Sequence, residues 1–149
     1  MIEITTDQKT LTSPCEELKK DDYHIFNALE ECLLRYPDGV GLAAPQIGIL
    51  KRAFIIKSYK GFLRFANPQI VKGENLISSI EGCLSIPEKI FKVDRYENIV
   101  FKDEINDIHN IYGTLSIIFQ HEYDHINGIT LLQKGKLILI NTDVNCRVV

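Results

Sequence analysis

The chain has 149 residues, 45% of them hydrophobic, which is enough to bury one core, so we expect a single domain over residues 1–149. Its net charge is −3 with no run of lysine or arginine, which argues against a nucleic-acid-binding protein, and no basic leader or long apolar stretch predicts a signal peptide or a membrane span. Four cysteines without regular spacing fit a reducing cytoplasm better than a disulfide framework.

The first predicted element is an amphipathic helix that follows a short extended lead containing Pro14. Asp21 or Asp22 is placed to cap this helix, which ends before Pro37. Its apolar side chains recur at spacings of three and four residues: Ile25, Phe26, Leu29, Cys32, Leu33 and Tyr36. The pattern predicts a helix with one buried face.

Strands are predicted in the middle of the chain, where β-branched and aromatic residues stand between turn residues. They comprise residues 52–57, 62–66, 76–80 and 97–102. A hairpin turn is expected at residues 103–107, a second helix begins near Gly113 or Thr114, and residues 137–140 are strand-like. These elements predict an α+β fold, with antiparallel β-sheets packed around a central helix.

The second helix carries an H-E-x-x-H motif formed by His121, Glu122 and His125. Because each helical residue advances by about 100°, the two imidazoles return to the same face and Glu122 lies close beside them. Two imidazoles at this spacing can share one metal ion, and the carboxylate is placed to move protons to and from a water bound to that ion. The motif therefore predicts a metal hydrolase.

A core network of hydrogen bonds without a metal is the alternative explanation of this motif. The residues before it, 115–119, are too apolar for an exposed helix, and Ile126 and Ile129 follow it. Burying two histidines and a glutamate without partners costs about 1–3 kcal/mol for each unsatisfied group. A bound ligand is therefore favoured.

A third metal ligand has to come from elsewhere, since catalytic sites of this kind usually have three protein ligands. Cys83 is a candidate because of its context, between Gly82, which permits close backbone approach, and Pro87, which is expected to end any regular element. A single cysteine is more often a small core residue than a ligand, and the chain has many carboxylates. Residue types and spacing leave this ligand open.

Three segments together resemble the signature motifs of the peptide deformylase family. They are Gly39–Gln46, Glu81–Ser85 and Gln120–His125, in the order of the family and close to its spacing. The resemblance extends from about Pro14 to about Leu132, which is most of the chain.

The resemblance implies that Cys83, His121 and His125 bind one divalent metal ion, expected to be Fe²⁺, with Zn²⁺ or Ni²⁺ able to replace it. It implies that a metal-bound hydroxide attacks the formyl carbon of an N-formyl-methionyl peptide and that formate is released. Glu122 would act as general base and then as general acid, a role worth about 10²–10⁴ in rate. The side-chain amide of Gln46 and the backbone N–H of Leu84 would stabilise the oxyanion.

The resemblance also implies that the peptide binds as an added strand along Gly39–Gln46, whose small residues indicate close approach by another group. Gly41 lies in this strand, and Val40, Ile117 and Ile118 are candidate walls of a methionine pocket. Ordinary core packing is the alternative for these aliphatic side chains.

A predicted ion pair between Glu81 and Arg95 would hold the loop that carries Cys83, although an exposed pair of little energetic value is the alternative. Ile90 is a departure from the family pattern, because many bacterial members have an arginine near the peptide path at this position. Contacts to the substrate backbone at this point do not carry over.

The partners implied are N-formyl-methionyl peptides and, transiently, the ribosome; the protein is expected to be a monomer. Many bacterial members continue into a long C-terminal helix, whereas 24 residues follow His125 here. We therefore expect a minimal form acting in a bacterial-type cytoplasm, including that of a virus-infected host.

Two other functions fit part of these observations. An H-E-x-x-H peptidase would use Glu122 in the same way, but it has no need of Gln46 or Cys83. A metal-stabilised protein that binds formyl-peptides without turnover has no need of a proton carrier such as Glu122.

Overall fold

The computed structural model of the protein describes residues 1–107 and 109–140. The helices are α1 (Gln8–Leu11), α2 (His24–Leu34), α3 (Thr114–Ile126) and α4 (Leu131–Lys134), with 3-10 turns at Lys20–Asp22 and Ala44–Ile47. The strands are β1 (Gly41–Ala43), β2 (Ala53–Ser58), β3 (Gly61–Ala66), β4 (Gln69–Cys83), β5 (Ile86–Lys102), β6 (Asn110–Tyr112) and β7 (Lys136–Ile140). Among the described helices, none has the length and apolar character needed to span a membrane.

Two antiparallel sheets pack against α3. The three-stranded sheet has the order β1-β2-β3, and the four-stranded sheet has the order β4-β5-β6, with β7 pairing with another part of β5. Helix α3 contacts strands of both sheets. The predicted α+β class, with antiparallel sheets around the helix that carries the H-E-x-x-H motif, is confirmed.

The three-stranded sheet is covered on both faces, by α2 on one side and by α3 on the other. Leu42 and Ile55 belong to the core cluster formed with α2, whereas their neighbours Ala43 and Phe54 belong to the cluster formed with α3. Neighbouring residues of a strand point to opposite faces, so burial of both faces requires the unbroken apolar run at the start of β2. This arrangement leaves β1 as an edge strand over the core.

Aromatic rings join α3 to both sheets. Phe119 lies at the centre of this cluster and is fully buried. Its ring centroid is 5.0 Å from that of Phe54 and 5.1 Å from that of Phe65 in the three-stranded sheet, and 4.5 Å from that of Phe101 in the four-stranded sheet. Edge-on and tilted contacts at these distances are favourable, so they fix α3 between the sheets.

The N-terminal predictions need correction. The lead before the first long helix is not wholly extended, because residues 8–11 form α1, capped by the carboxylate of Asp7. Tyr23, and neither Asp21 nor Asp22, occupies the N-cap of α2, and the Asp22 carboxylate instead accepts a hydrogen bond from the backbone N–H of Lys19. Asp22 therefore caps the preceding 3-10 turn.

The predicted strands are confirmed in place, but two of them are much shorter than the observed ones. Residues 76–80 lie within the 15-residue β4, and residues 97–102 lie within the 17-residue β5. Pro87 does not end a regular element, since it is the second residue of β5, where the next residue, Glu88, has a φ of 67° and the pairing register shifts. Proline has no N–H to donate to the ladder, and it is tolerated here because the irregular pairing at the start of the strand does not require one. The predictions of α3 and β7 are also confirmed.

Candidate metal centre

Three buried side chains bring their metal-binding atoms together. Cys83, His121 and His125 each offer one ligand atom, and these atoms lie within 4.8 Å of one another. The Nε2 atoms of the two histidines are 3.2 Å apart, and the Cys83 Sγ is 3.4 Å from the His125 Nε2. The described structure therefore places the three predicted ligands at one point.

These distances fit a tetrahedral metal site. Ligand bonds of the usual length to zinc or a similar ion would separate two nitrogen ligands by about 3.4 Å, and a nitrogen and a sulfur ligand by about 3.6 Å. The observed separations, 3.2 Å and 3.4 Å, are close to these values. Thiolate and imidazole are also the donors that such ions prefer.

The ligands come from two elements that the fold presses together. His121 and His125 are one helical turn apart on α3, while Cys83 is the last residue of β4. The two-residue turn Leu84–Ser85 leads directly into β5, which returns along β4 and packs on α3. The hairpin end thus lies over the histidine face of the helix.

Gln120 holds α3 against β5. Its side-chain Oε1 accepts a hydrogen bond of 2.8 Å from the Tyr96 backbone N–H, and its Nε2 donates one of 2.7 Å to the Tyr96 carbonyl. The Ser116 hydroxyl donates to the same carbonyl at 2.9 Å. The Gln120 amide therefore pairs with both backbone groups of Tyr96, as a residue of a neighbouring strand would. These bonds fix the position of α3 along β5.

A buried ion-pair network orients His121. The Nδ1 of His121 is 2.8 Å from the Glu81 Oε1, and Arg95 donates two hydrogen bonds, of 3.0 Å and 2.9 Å, to the two oxygens of the same carboxylate. Because an ionised carboxylate only accepts hydrogen bonds, the Nδ1 of His121 carries a proton, and the Nε2 is the ring nitrogen that faces the other two candidate ligands. The predicted Glu81–Arg95 pair is confirmed, and both side chains are buried.

The network continues towards the surface. Arg95 also donates to the Asp124 Oδ2 at 2.6 Å, and the Lys134 Nζ is 3.0 Å from the Asp124 Oδ1. Hydrogen bonds to His121 and Arg95 outweigh burial and hold the pKa of Glu81 well below its usual range. Glu81 is therefore ionised, and its carboxylate accepts a hydrogen bond from the Nδ1 of His121.

Glu122 is fully buried beside the metal-binding cluster, and its two carboxylate oxygens have no hydrogen-bond partner in residues 1–107 and 109–140. Burial first, and the nearby Glu81 charge second, raise the pKa of Glu122 well above its usual range. A carboxyl group with a raised pKa and free oxygens is suited to exchanging protons with a small ligand near neutral pH.

Burial also shifts the pKa values of two candidate ligands. It raises the pKa of the Cys83 thiol to about 12, while hydrogen bonds from the backbone of Ser85 and Ile86 act in the opposite direction. It lowers the pKa of His125 well below the usual value, so this imidazole is neutral and able to donate a lone pair. A bound cation is the natural counter-charge for a Cys83 thiolate in this position.

Gln46 is completely buried next to Cys83. Its Oε1 accepts a hydrogen bond of 2.9 Å from the Ala43 N–H, which directs its Nε2 towards the Ser85 Oγ at 3.2 Å and the Cys83 Sγ at 3.7 Å. Leu84 occupies the turn beside Cys83, and its side chain packs into the cluster around α2. Both predicted oxyanion donors therefore belong to residues next to the cysteine, Gln46 through its side-chain contact and Leu84 as the following residue of the chain.

The predicted pocket residues occupy different environments. Ile118 belongs to the core cluster around Phe119, and the partly buried Val40 packs against that cluster. Ile117 is 8% exposed. Gly41 lies in β1 against Glu122, since a Cβ atom there would come within 2.6 Å of the Glu122 Oε1. The small residues of this segment predicted close approach by another group. At Gly41 the group that lies close is the Glu122 side chain of the protein itself.

Sequence reasoning missed three buried polar residues of the site, namely Ser85, Gln120 and Asp124. Asp124 is three residues after His121, so helical spacing alone places it on the same side of α3. Gln120 stands in an apolar stretch of helix, where a polar side chain needs a partner. Ser85 carries no such signal, because a serine in a tight turn is common.

Comparisons with known proteins agree on one family. The family model described as polypeptide deformylase matches residues 1–138. The chain is 34% identical over 137 residues to a peptide deformylase of Carboxydothermus hydrogenoformans, a match that covers 88% of both proteins. It is 47% identical over 139 residues to one of Karelsulcia muelleri, with 79% of this chain and 69% of that protein covered.

Solved structures of peptide deformylases share the fold of this chain over most of its length. The peptide deformylase of Thermotoga maritima superposes with a TM-score of 0.79 at 30% identity, covering 90% of this chain and 95% of that one. A peptide deformylase of Plasmodium falciparum gives a TM-score of 0.81 at 28% identity, with coverage of 91% and 86%.

Proposed function

The chain belongs to the peptide deformylase family, and from this premise we propose how its residues perform the family's reaction. Enzymes of this family remove the N-formyl group from nascent polypeptides, and this chain is such an enzyme. Membership sets aside the peptidase and the binding protein, the two alternatives that the motifs alone left open.

The enzyme holds one metal ion at Cys83, His121 and His125. We propose Fe²⁺ as the native ion, as the resemblance to the family implies, with Zn²⁺ or Ni²⁺ able to replace it because all three ions accept thiolate and imidazole donors. When bound, such an ion lowers the pKa of a water molecule and polarises a carbonyl group.

Glu122 moves the protons of the reaction. It takes a proton from the attacking water and delivers it to the departing amine, which becomes the free N-terminus. Its unpartnered oxygens and raised pKa support this role, since the group must hold a proton between the two steps. The products are formate and a peptide that begins with methionine.

Gln46 and Leu84 stabilise the negative charge that grows on the formyl oxygen. The Gln46 side chain is already fixed by the Ala43 N–H, so its Nε2 needs no reorientation when the charge develops. The Leu84 N–H lies at the tip of a tight turn, where backbone donors are free of strand pairing. A preorganised donor of this kind contributes about 2.7–4 kcal/mol to transition-state stabilisation.

The substrate backbone pairs with β1 at its outer edge. Strand β2 occupies the other edge, where the Lys57 N–H donates to the Val40 carbonyl at 2.8 Å. The Ala43 N–H points away from β2, towards Gln46, so the backbone groups of Gly41, two residues earlier, face the same outer side. Val40, Ile117 and Ile118 remain our candidates for the methionine pocket.

We further propose that residues 1–149 act as one domain and as a monomer, with transient contact with a ribosome, in a bacterial-type cytoplasm, which includes that of a virus-infected host. The shared packing of both sheets on α3 supports the single domain. Light scattering of the purified protein tests the monomer.

The observation that carries the site assignment is the buried Glu122 carboxylate, which has no hydrogen-bond partner among the described residues, beside three converging ligand atoms. The test is formate release from formyl-Met-Ala-Ser by anaerobically purified protein loaded with Fe²⁺ or Ni²⁺, together with Glu122→Ala and Cys83→Ala. We expect release by the wild type and a loss of at least about a hundredfold in both variants. If either variant releases formate as fast as the wild type, the role proposed for the replaced residue is contradicted.

A further inference from the structure

Gly41 lies closer to the Glu122 carboxylate than a residue with a side chain could. A Cβ atom built on Gly41 would be 2.6 Å from the Glu122 Oε1, 3.0 Å from its Cδ and 3.1 Å from its Cγ. Carbon and oxygen atoms that are not bonded to each other do not approach to 2.6 Å without repulsion. The side chain of Glu122 therefore occupies the space that any other residue at position 41 would fill.

Space, and not backbone conformation, is what requires glycine here. Gly48, Gly61, Gly113 and Gly128 have positive φ angles, whereas Gly41 does not. It pairs with Ile56 as an ordinary strand residue, in a conformation that alanine adopts freely. The next residue on the same face of β1, Ala43, is also small and packs in the cluster with α3. This face of β1 is thus shaped by the helix beside it.

Nothing else in the described structure holds the Glu122 carboxylate. Its oxygens have no hydrogen-bond partner in that part of the chain, and the side chain is fully buried. Within the described structure, packing decides where the carboxylate lies, and Gly41 supplies the wall on one side. A single methyl group on that wall would displace the carboxylate, because a carbon–oxygen contact of this length is too short to persist.

We infer that Gly41 is a positioning residue for Glu122: its missing side chain leaves the space that sets the proton-transferring carboxylate against β1. This inference rests on the role proposed for Glu122. The substrate backbone is also proposed to pair with β1. The same strand therefore positions both the peptide and the carboxylate that exchanges protons with it. A small displacement of either reacting group is costly in rate.

The first test is a comparison of Gly41→Ala with the wild type, both loaded with Ni²⁺. We expect kcat to fall at least tenfold while the bound metal per chain stays the same, because the atoms nearest to an added Cβ belong to Glu122 and not to a metal ligand. We expect the shorter carboxylate of Glu122→Asp to remove the conflict, so that Gly41→Ala has less than a twofold effect on kcat in that background. An equal loss of kcat in both backgrounds would overturn the inference.

The second test measures the contact without any turnover. A double-mutant cycle in urea unfolding compares the cost of Gly41→Ala in the wild type with its cost in Glu122→Ala, where the clashing atoms are gone. The cost should be clearly smaller in Glu122→Ala, and equal costs would overturn the inference. If Gly41→Ala does not fold, recovery of folded protein in the double variant supports the inference, and failure of the double variant to fold contradicts it.

Gly39→Ala is the matched control. A Cβ atom at this position would meet the side chains of Leu33 at 2.8 Å and Leu84 at 2.9 Å, and not Glu122. Its cost in unfolding should be the same with and without Glu122, so a difference confined to Gly41 identifies the contact. If Glu122→Ala retains full formate release, the proposed function of Glu122 fails, whereas the unfolding cycle still reports on the contact.

Discussion

Arg95 is the residue on which most of the buried charge near the metal centre depends. It is 1% exposed and contacts the carboxylates of both Glu81 and Asp124, while Lys134 contacts Asp124 from the surface. Two carboxylates, Glu81 and Asp124, and two cations, Arg95 and Lys134, thus balance each other beside His121. The guanidinium matters because its fixed, planar set of donors serves two acceptors at once, which a lysine cannot do.

Replacing Arg95 by methionine should therefore be far more harmful than replacing Lys134 by methionine. Two buried carboxylates lose their guanidinium partner in the first variant, and we expect its free energy of unfolding to fall by about 3–5 kcal/mol. Lys134 has a side chain that is 41% exposed, so its loss should cost no more than about 1 kcal/mol. Urea unfolding of both variants, loaded with the same metal, measures the difference. Similar costs for the two would show that the buried network contributes little.

Residue-level prediction succeeded where a short motif fixes geometry. The i, i+4 spacing on one helix brings His121 and His125 together whatever surrounds them. Cys83 was not determined by spacing, because its distance from the histidines depends on how the β4–β5 hairpin lies on α3. The link from Arg95 to Asp124 was missed for the same reason, since the two residues are 29 positions apart and meet only in the packed molecule.

At the scale of elements, the long β4–β5 hairpin shows what the pattern of apolar residues does not predict. Glycine and asparagine are residue types that often mark turns, yet Gly73 and Asn75 both lie inside β4. The ring of Tyr96 from β5 lies over Gly73, in the space that a Cβ atom would fill, and Asn75 adopts a φ of 62° within the strand. An aromatic ring from the neighbouring strand that covers a strand glycine replaces the missing side-chain packing. Only the tertiary contact makes this stretch a strand.

Helix α3 depends on Phe119 for its place between the sheets, so Phe119→Ala should lower the free energy of unfolding by about 3–5 kcal/mol. The cavity would lie among rings of both sheets and has no solvent access to relieve it. Leu132→Ala on α4, where the side chain is 46% exposed, is the control and should cost about 0.5 kcal/mol. Thermal and urea unfolding measure both changes, and a small effect of Phe119→Ala would mean that α3 is held mainly by its polar contacts with β5.

At the scale of the whole molecule, metal binding should stabilise the fold as well as activate it. The ligands lie on β4 and on α3, so an ion that binds only the folded arrangement adds about 2.7 kcal/mol at a hundred times its dissociation constant. Unfolding with and without Ni²⁺ measures this increment. It should vanish in Cys83→Ala and persist in Cys32→Ala, which removes a buried core thiol remote from the ligand set. Retention of the increment in Cys83→Ala would remove that residue from the metal site.

The two-residue turn at Leu84–Ser85 has a further consequence for the order of folding events. A hairpin closes locally within about 1–10 μs, whereas Cys83 and His125 are separated by 42 residues and meet only after a longer loop closes. We therefore expect Cys83 to be in place at the hairpin tip before the helix docks, and the three ligand atoms to come together when it does. The time at which the ion binds would then report when the helix and the hairpin meet, and not when either one forms.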